Sequence, residues 1–342
     1  MTLGFTPAVE IYGSNAALLN QRLISWEHID AAGIESDQLT LTVDLEGLDG
    51  LPNLGGRIGL KVGYRETEMV DKGQFKVTRL TPTLFPFRLT LVATAAPFSK
   101  DDETGFKQRR TASHGPTTLG GLFRELVSRH GFSPRVAPDV SLIRIEHIDQ
   151  TNETDMGFLT RLAAKYNVVA KPYDQIYVLA RPGQTKSLSG KVLANVILSV
   201  TSNNRPGDHA FVSATLEETA RAQNQGCITR WLDTATGILQ EVKTGLSPYK
   251  ILRQHQPSEA DAIAVGEGEV RKMLRQKFKV KITCPGDPRL AAEGLVLLDD
   301  TWPDFMRGRW SIDKVTASGN RENSYRCLID ASCLDPKAEA KD

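Results

Sequence analysis

The chain has 342 residues, 40% hydrophobic and 24% charged, an ordinary globular balance whose length suits two or three domains. Lysine and arginine number 42 against 41 acids, a formal net charge of +1, so bulk charge gives no reason to expect nucleic acid or a membrane surface as the main partner. No apolar run approaches a membrane span, and Met1 to Pro7 lack the basic start and apolar stretch of a secretory signal, so folding in the cytoplasm is expected.

Residues 1–98 read as almost all β. Ala8 to Gly13 is a first strand, and Leu18 to Ile29 a second segment with uneven alternation. Leu39, Leu41 and Val43 alternate cleanly onto one face. Glu46 to Gly56 is a Gly-, Asp- and Pro-rich loop, followed by strands at 57–64, 73–81 and 87–95. Frequent turns between short strands predict a barrel or sandwich. The charged stretch from Pro97 to Ser113 marks a boundary. Thr117 or Thr118 then caps a helix that ends near Gly131, and Leu142 to Ile145 is a short strand.

The stretch from Asp149 to Leu162 starts polar and becomes amphipathic. Asn152 and Thr154 are both suitable N-caps, and Glu153 and Asp155 place negative charge at the positive end of a helix. Met156, Leu159, Leu162, Ala163 and Tyr166 form its apolar face, and Asn167 can close it in the left-handed conformation. A hairpin follows, turning at Tyr173-Asp174-Gln175. The third section, 183–335, is β-rich with one long helix. Its strands are expected at 192–200, 209–215, 225–232, 238–243, 278–283, 294–298, 308–316 and 325–331. Ser258 caps the helix with Asp261 as acidic partner, and Ile263, Val270, Met273 and Leu274 supply its apolar side. The tail 336–342 is polar and expected to be disordered.

Gln150, Glu153, Thr154, Asp155, Phe158, Leu159, Arg161, Leu162 and Ala163 resemble the signature of contractile-tail baseplate hub proteins. That family comprises the phage late control protein D group and the hub-like part of type VI secretion spike proteins. The opening strands around Glu35 to Leu39 and Val62-Gly63-Tyr64 are similar too, as is Trp231-Leu232-Asp233, whereas 200–256 follows the family only loosely. The resemblance implies a structural homotrimer in a phage tail or an R-type bacteriocin, adapting a sixfold tail tube to a threefold central spike. It implies tail tube and spike proteins as partners, with tape-measure and baseplate wedge proteins as further neighbours. No membrane contact is implied in the resting assembly, and nucleic acid as a partner stays open. The chain stops short of a fused needle, so a separate spike is expected.

Two pieces of the chain repeat each other independently of that likeness. Gly73, Phe75 and Val77, followed by Thr78 to Thr81, match Gly308, Trp310 and Ile312 with Asp313 to Thr316. Pro52 to Gly56 resembles Pro288 to Ala292, and Phe87-Arg88-Leu89 resembles Tyr325-Arg326-Cys327. The expected fold is therefore α+β, mainly β: two similar antiparallel barrel-like tube domains at 1–98 and 183–335, with a small α+β insert at 105–182. Three chains with doubled domains would present six similar units, which suits docking to a ring of six.

The sequence holds few candidates for chemistry. Gly55 to Gly59 lacks the Gly-Lys-Ser/Thr of a phosphate loop, and the six histidines form no metal-binding spacing. The four cysteines sit far apart, none in a Cys-x-x-Cys, so neither a metal nor a disulfide is expected. Asp299-Asp300 and Asp101-Asp102 read as solvated or turn acids, because adjacent strand residues face opposite ways. Lys107, Arg109 and Arg110 read as a solvated boundary cluster. No catalytic, cofactor or metal residue is assigned, and a non-enzymatic hub is the expectation. A glycan-active or glycan-binding component of the same apparatus is the alternative, and it requires two carboxylates facing across a cleft.

Overall fold

A computed structural model describes residues 5–32, 36–48, 50–94, 105–173, 176–181, 195–219, 224–320 and 324–334. The tail 336–342, the turn residues Asp174 and Gln175 and the boundary stretch 97–104 lie outside the described residues. The chain opens with β1 (Pro7–Gly13), α1 (Ala16–Arg22), β2 (Leu23–Ala31), β3 (Gln38–Asp44), β4 (Arg57–Tyr64), β5 (Val70–Thr83) and β6 (Arg88–Thr94). Next come β7 (Arg109–His114), β8 (Thr117–Thr118), α2 (Leu119–Arg129), β9 (Ser133–Val136), α3 (Pro138–Ser141) and β10 (Arg144–Ile145). These lead through β11 (Ile148–Thr154) into α4 (Asp155–Tyr166), β12 (Val169–Tyr173) and β13 (Ile176–Ala180). The last section holds β14 (Val196–Leu198), β15 (Ser213–Glu218), β16 (Gly226–Asp233), β17 (Ile238–Gly245), β18 (Tyr249–Gln256) and α5 (Glu259–Lys277). It ends with β19 (Phe278–Pro285), β20 (Leu295–Leu298), β21 (Gly308–Asn320) and β22 (Tyr325–Cys333).

Mainly antiparallel sheets dominate, as expected, but they close no barrel among the described residues. One 12-stranded sheet runs β1-β4-β5-β6-β3-β2 and continues through β21-β22-β19-β15, with β20 joining β21 and β14 joining β20. The two halves meet where β2 pairs β21, from Ser25 opposite Asn320 to Ala31 opposite Lys314. Each half follows one path: its first strand, then its fourth, fifth, sixth, third and second in chain order. One edge differs, because β1 lies antiparallel to β4 and β14 parallel to β20. Closure fails because β15 pairs only with β19, and β4 pairs with β5 no further than Lys76.

The halves agree in finer detail. A bulge falls between Val77 and Arg79 in the β5–β6 ladder, and between Ile312 and Lys314 in the β21–β22 ladder. Val77 donates to the Gly56 carbonyl and accepts from Gly55, both at 2.9 Å; Ile312 does the same with Gly294 and Glu293 at 2.9 Å. Gly55 and Glu293 both take positive φ, 86° and 65°. These strand-entry residues are not the ones the sequence alignment of Pro52–Gly56 with Pro288–Ala292 pairs. The preceding loops differ in length, so the equivalence shifts by two residues.

A single hydrophobic core spans both halves. Leu39, Leu41 and Val43 of β3 and Val280, Ile282 and Cys284 of β19 all point into it. Each such side chain, fully buried, stabilises the fold by about 1.5–3 kcal/mol. A second core lies in the insert, where α2 and α4 pack over β13, and Val265 of α5 joins it. Several expectations need correction. The uneven segment from Leu18 begins as helix, since Ala16 to Arg22 are nearly all strong helix formers. Asn20 clamps this helix to Ile11, accepting from its N–H at 2.9 Å and donating to its carbonyl at 2.6 Å. Arg109 and Arg110 lie in β7, not in a solvated loop. Ile263 is 41% exposed, and Ala262 and Val265 take its expected place. The strand β18 has no clean alternation, so its sequence does not mark it as a strand.

The ladder registers give the sheet two distinct ends. At one end, Asn320, Ser25, Thr42, Thr90 and Thr81 are successive neighbours, so the β5–β6 and β21–β22 hairpins both leave there. At the other end Lys314, Ala31, Gln38, Thr94 and Lys76 lie together. The insert docks at this second end. Buried Lys171 of β12 donates to the Ala31 carbonyl at 2.5 Å and to Asp37 at 2.6 Å, with Asp30 3.9 Å away. Burial, then the Asp30 carboxylate, pushes Asp37 up to about 6.

Candidate assembly interface

The motif residues build a joint rather than a reactive centre. Thr154 caps α4, its hydroxyl accepting from the Gly157 N–H at 2.9 Å. Asn152, the other expected cap, instead sits at φ 48° within β11. Asp155 is fully buried: Gln150 Nε2 donates to it at 2.8 Å, and His130 Nε2 lies at 2.7 Å. Arg129 and Arg110 approach the same carboxylate at 3.6 and 3.8 Å. Burial alone would raise the Asp155 carboxyl, but the Gln150 and His130 hydrogen bonds and the Arg110 charge hold it below the ordinary range. Arg161 holds Glu153 at 2.5 Å and the Asp149 carbonyl at 2.6 Å, and its guanidinium lies over the Phe158 ring. Phe158 stacks on His114, and Leu159 and Leu162 enter the insert core.

So these residues tie β7, β11, α2 and α4 into one rigid body. Sequence spacing marked the helix but not the burial of Asp155 or the part taken by His130, because no short-range rule links the end of α2 to the start of α4. Asn167 closes α4 at φ 50°, and Ser258 caps α5 by accepting from Asp261 at 3.2 Å.

The structure places Gly73, Phe75 and Val77 on β5 and Gly308, Trp310 and Ile312 on β21. These strands hold the same position in their halves, and Phe75, Val77, Trp310 and Ile312 are all core residues. The surroundings of the two strands differ. The outer edge of β21 is covered along its length by β20 and then β2. That of β5 is covered by β4 only as far as Lys76, leaving Thr78 to Thr83 open, with all but Leu80 exposed. Among the described residues the outer edges of β15, β1 and β14 are open too. Open edges present backbone groups that a further strand can satisfy.

Acids and cavities offer less. Asp299 lies in a turn, accepting from Ser199 and Thr301, while Asp101 and Asp102 lie outside the described residues. A shallow depression of about 370 Å³ beside Ser25, Thr42 and Asn320 has Glu27 as its one acid, and a second of about 240 Å³ beside Pro7 and Arg65 has none. All four cysteines are free and buried, and burial pushes the Cys227 thiol up to about 11. Among the described residues no cluster of His, Cys, Asp and Glu could hold a metal ion, and no helix is long and apolar enough to cross a membrane.

The mainly antiparallel sheet with its α+β insert is a fold of phage tail proteins. The chain shares that fold with a 43 kDa tail protein of prophage MuSo2 from Shewanella oneidensis, with TM-score 0.63 at 16% identity over 95% of this chain and 98% of the other. A tail protein from Neisseria meningitidis MC58 gives 0.63 at 10% identity, over 96% and 97%. An E. coli type VI secretion component, described as similar to phage T4 tail proteins, gives 0.55 at 11% identity, over 99% and 78%. In sequence the chain is 30% identical over 217 residues to a probable baseplate hub protein of Escherichia phage P2, covering 63% of this chain and 53% of that protein. The corresponding protein of phage 186 is 29% identical over 228 residues, covering 66% and 56%. The match spans about half the length of these curated relatives. No protein-family model matches. In sequence the chain is thus similar to phage baseplate hub proteins, and in fold to phage tail proteins.

Proposed function

We propose that this chain is a structural, non-catalytic hub in which three copies close a ring of six similar β units. The observation that carries it is the pattern of edges. Within one chain, β2 of the first half covers the distal edge of β21 in the second. The strand in the second half that corresponds to β2 is β15, and the strand in the first half that corresponds to β21 is β5. The edge of β15 and the distal edge of β5 are unpaired among the described residues, and unlike the open outer edges of β1 and β14 they correspond to the two edges that meet in the internal joint. Pairing β15 of one copy with Arg79 to Thr83 of the next repeats the internal joint between chains. Register by analogy sets Thr215 opposite Thr83. Glu217 then lies opposite Thr81 on the side of the sheet that bears Arg79, a complementary charge pattern, while Glu218 takes the other face. A joint that repeats at a fixed rotation closes when the angle suits, and three chains then supply six units.

On this reading the chain divides into a first β unit at 1–98, an insert at 105–182 and a second β unit at 183–335, the β units arising by duplication. The assembly joins a sixfold tail tube to a threefold spike in the baseplate of a phage or tail-like bacteriocin, after folding in the bacterial cytoplasm. Light scattering on the purified chain tests this: the expected mass is three times 37.6 kDa, with binding to tube and spike proteins. A monomer that hydrolyses peptidoglycan overturns it.

A further inference from the structure

Resting on the trimeric reading, we propose that the hairpin end of the sheet seats on the sixfold tail tube, and that the insert end faces away from it. The ladder registers send both hairpins of the chain out of the same end. Antiparallel pairing between copies in the same register keeps that direction around the ring. One face then carries the ends of six strand pairs, and the opposite face carries three inserts. A surface repeated six times fits a sixfold partner, and one repeated three times fits a threefold partner.

The side chains sharpen this. The tip of the β5–β6 hairpin is apolar and unburied: Leu84 is 67% and Phe85 85% exposed, and the Phe85 and Phe87 rings lie 5.2 Å apart. The tip is continuous with the open edge from Arg79 to Thr83. The matching hairpin between Asn320 and Ser324 is polar in sequence. Three apolar tips therefore alternate with three polar ones around the face, and exposed apolar side chains of this size mark a contact with another protein. The occupant is a ring of tube subunits offering an apolar surface to each projecting tip.

The test uses two single variants of the full chain, F85C at the tip and L142C in the insert. The native cysteines are all buried, so maleimide labelling reports the new thiols. Purified tail-tube protein of the same tail, assembled into rings, is the probe, and mass is measured on each sample. The expected result is trimers in which tube rings slow labelling at least tenfold in F85C and leave L142C unchanged. Protection of L142C alone reverses the polarity and overturns the proposal. So does absence of protection in both variants. Slow labelling of F85C before tube is added assigns the tip to a neighbouring copy, which also overturns it. A monomeric mass instead rejects the trimeric reading itself. As a second arm, Leu84→Ser with Phe87→Ser should weaken tube binding at least tenfold while the trimer mass stays unchanged.

Discussion

β5 and β21 run the same course through their halves of the sheet, yet only β21 is covered along its whole outer edge. The difference is one of neighbours rather than of fold. β21 has β2 beside its last residues because the first half of the same chain supplies it, whereas the distal part of β5 has no strand beside its outer edge among the described residues. Two units built alike but completed differently are what the proposed pairing between copies would make equal. Their inserts differ too: β2 ends at Ala31 and β3 begins at Gln38, while β15 and β19 are separated by β16, β17, β18 and α5. Both additions emerge at the end of the sheet away from the hairpins, which keeps the open edges clear.

Matched core positions test the likeness of the halves most strongly. Trp310→Ala should cost about 5 kcal/mol and Phe75→Ala about 4, since each empties an equivalent place in one core. Trp310 also loses its 2.9 Å hydrogen bond to the Met306 carbonyl, so it should be the costlier. Denaturant unfolding reads both, and a loss under about 1 kcal/mol at either position would break the equivalence. Lys171→Met comes next. It leaves Asp37 and Asp30 near the joint without their cation, and should cost about 3 kcal/mol in the same measurement.

Reversing charge on the open edge of β15 with Glu217→Lys should weaken trimers by roughly fivefold or about 1 kcal/mol, leaving the chain folded. An unchanged trimer dissociation constant by sedimentation would place the contact elsewhere. The smallest expected effect concerns pH. Burial lowers His28 to about 4, so its share of stability is lost as pH falls from 6.5 toward 4. Asp30 opposes this lowering, while Lys72 and Lys171 reinforce it. Asp37, raised to about 6, acts in the opposite sense, favouring the folded state as pH falls below 6. The two offset each other in the native chain. His28→Leu removes one side, so its stability relative to the native chain should rise from pH 7 to pH 5 in urea titrations.

Alternation made β3, β19, β21 and β22 legible in the sequence, because one face of each is buried and the other is not. Capping chemistry did the same for α2, α4 and α5, where Thr118, Thr154 and Ser258 act locally. Other features depend on distant partners and left no local mark. Gln150 and Asp155 are buried only because His130 and Arg110 arrive from other elements. Lys171 looks like any strand lysine until Asp37 is placed beside it. The single continuous sheet was hidden as well, since the β2–β21 pairing joins residues nearly a whole chain apart.

Thr215→Cys combined with Thr83→Cys tests the central claim most directly. With the native cysteines buried, mild oxidation should link each chain to the next and yield a covalent trimer on denaturing gels, while neither single variant does. Uncrosslinked chains from a sample that is monomeric before oxidation would contradict the account.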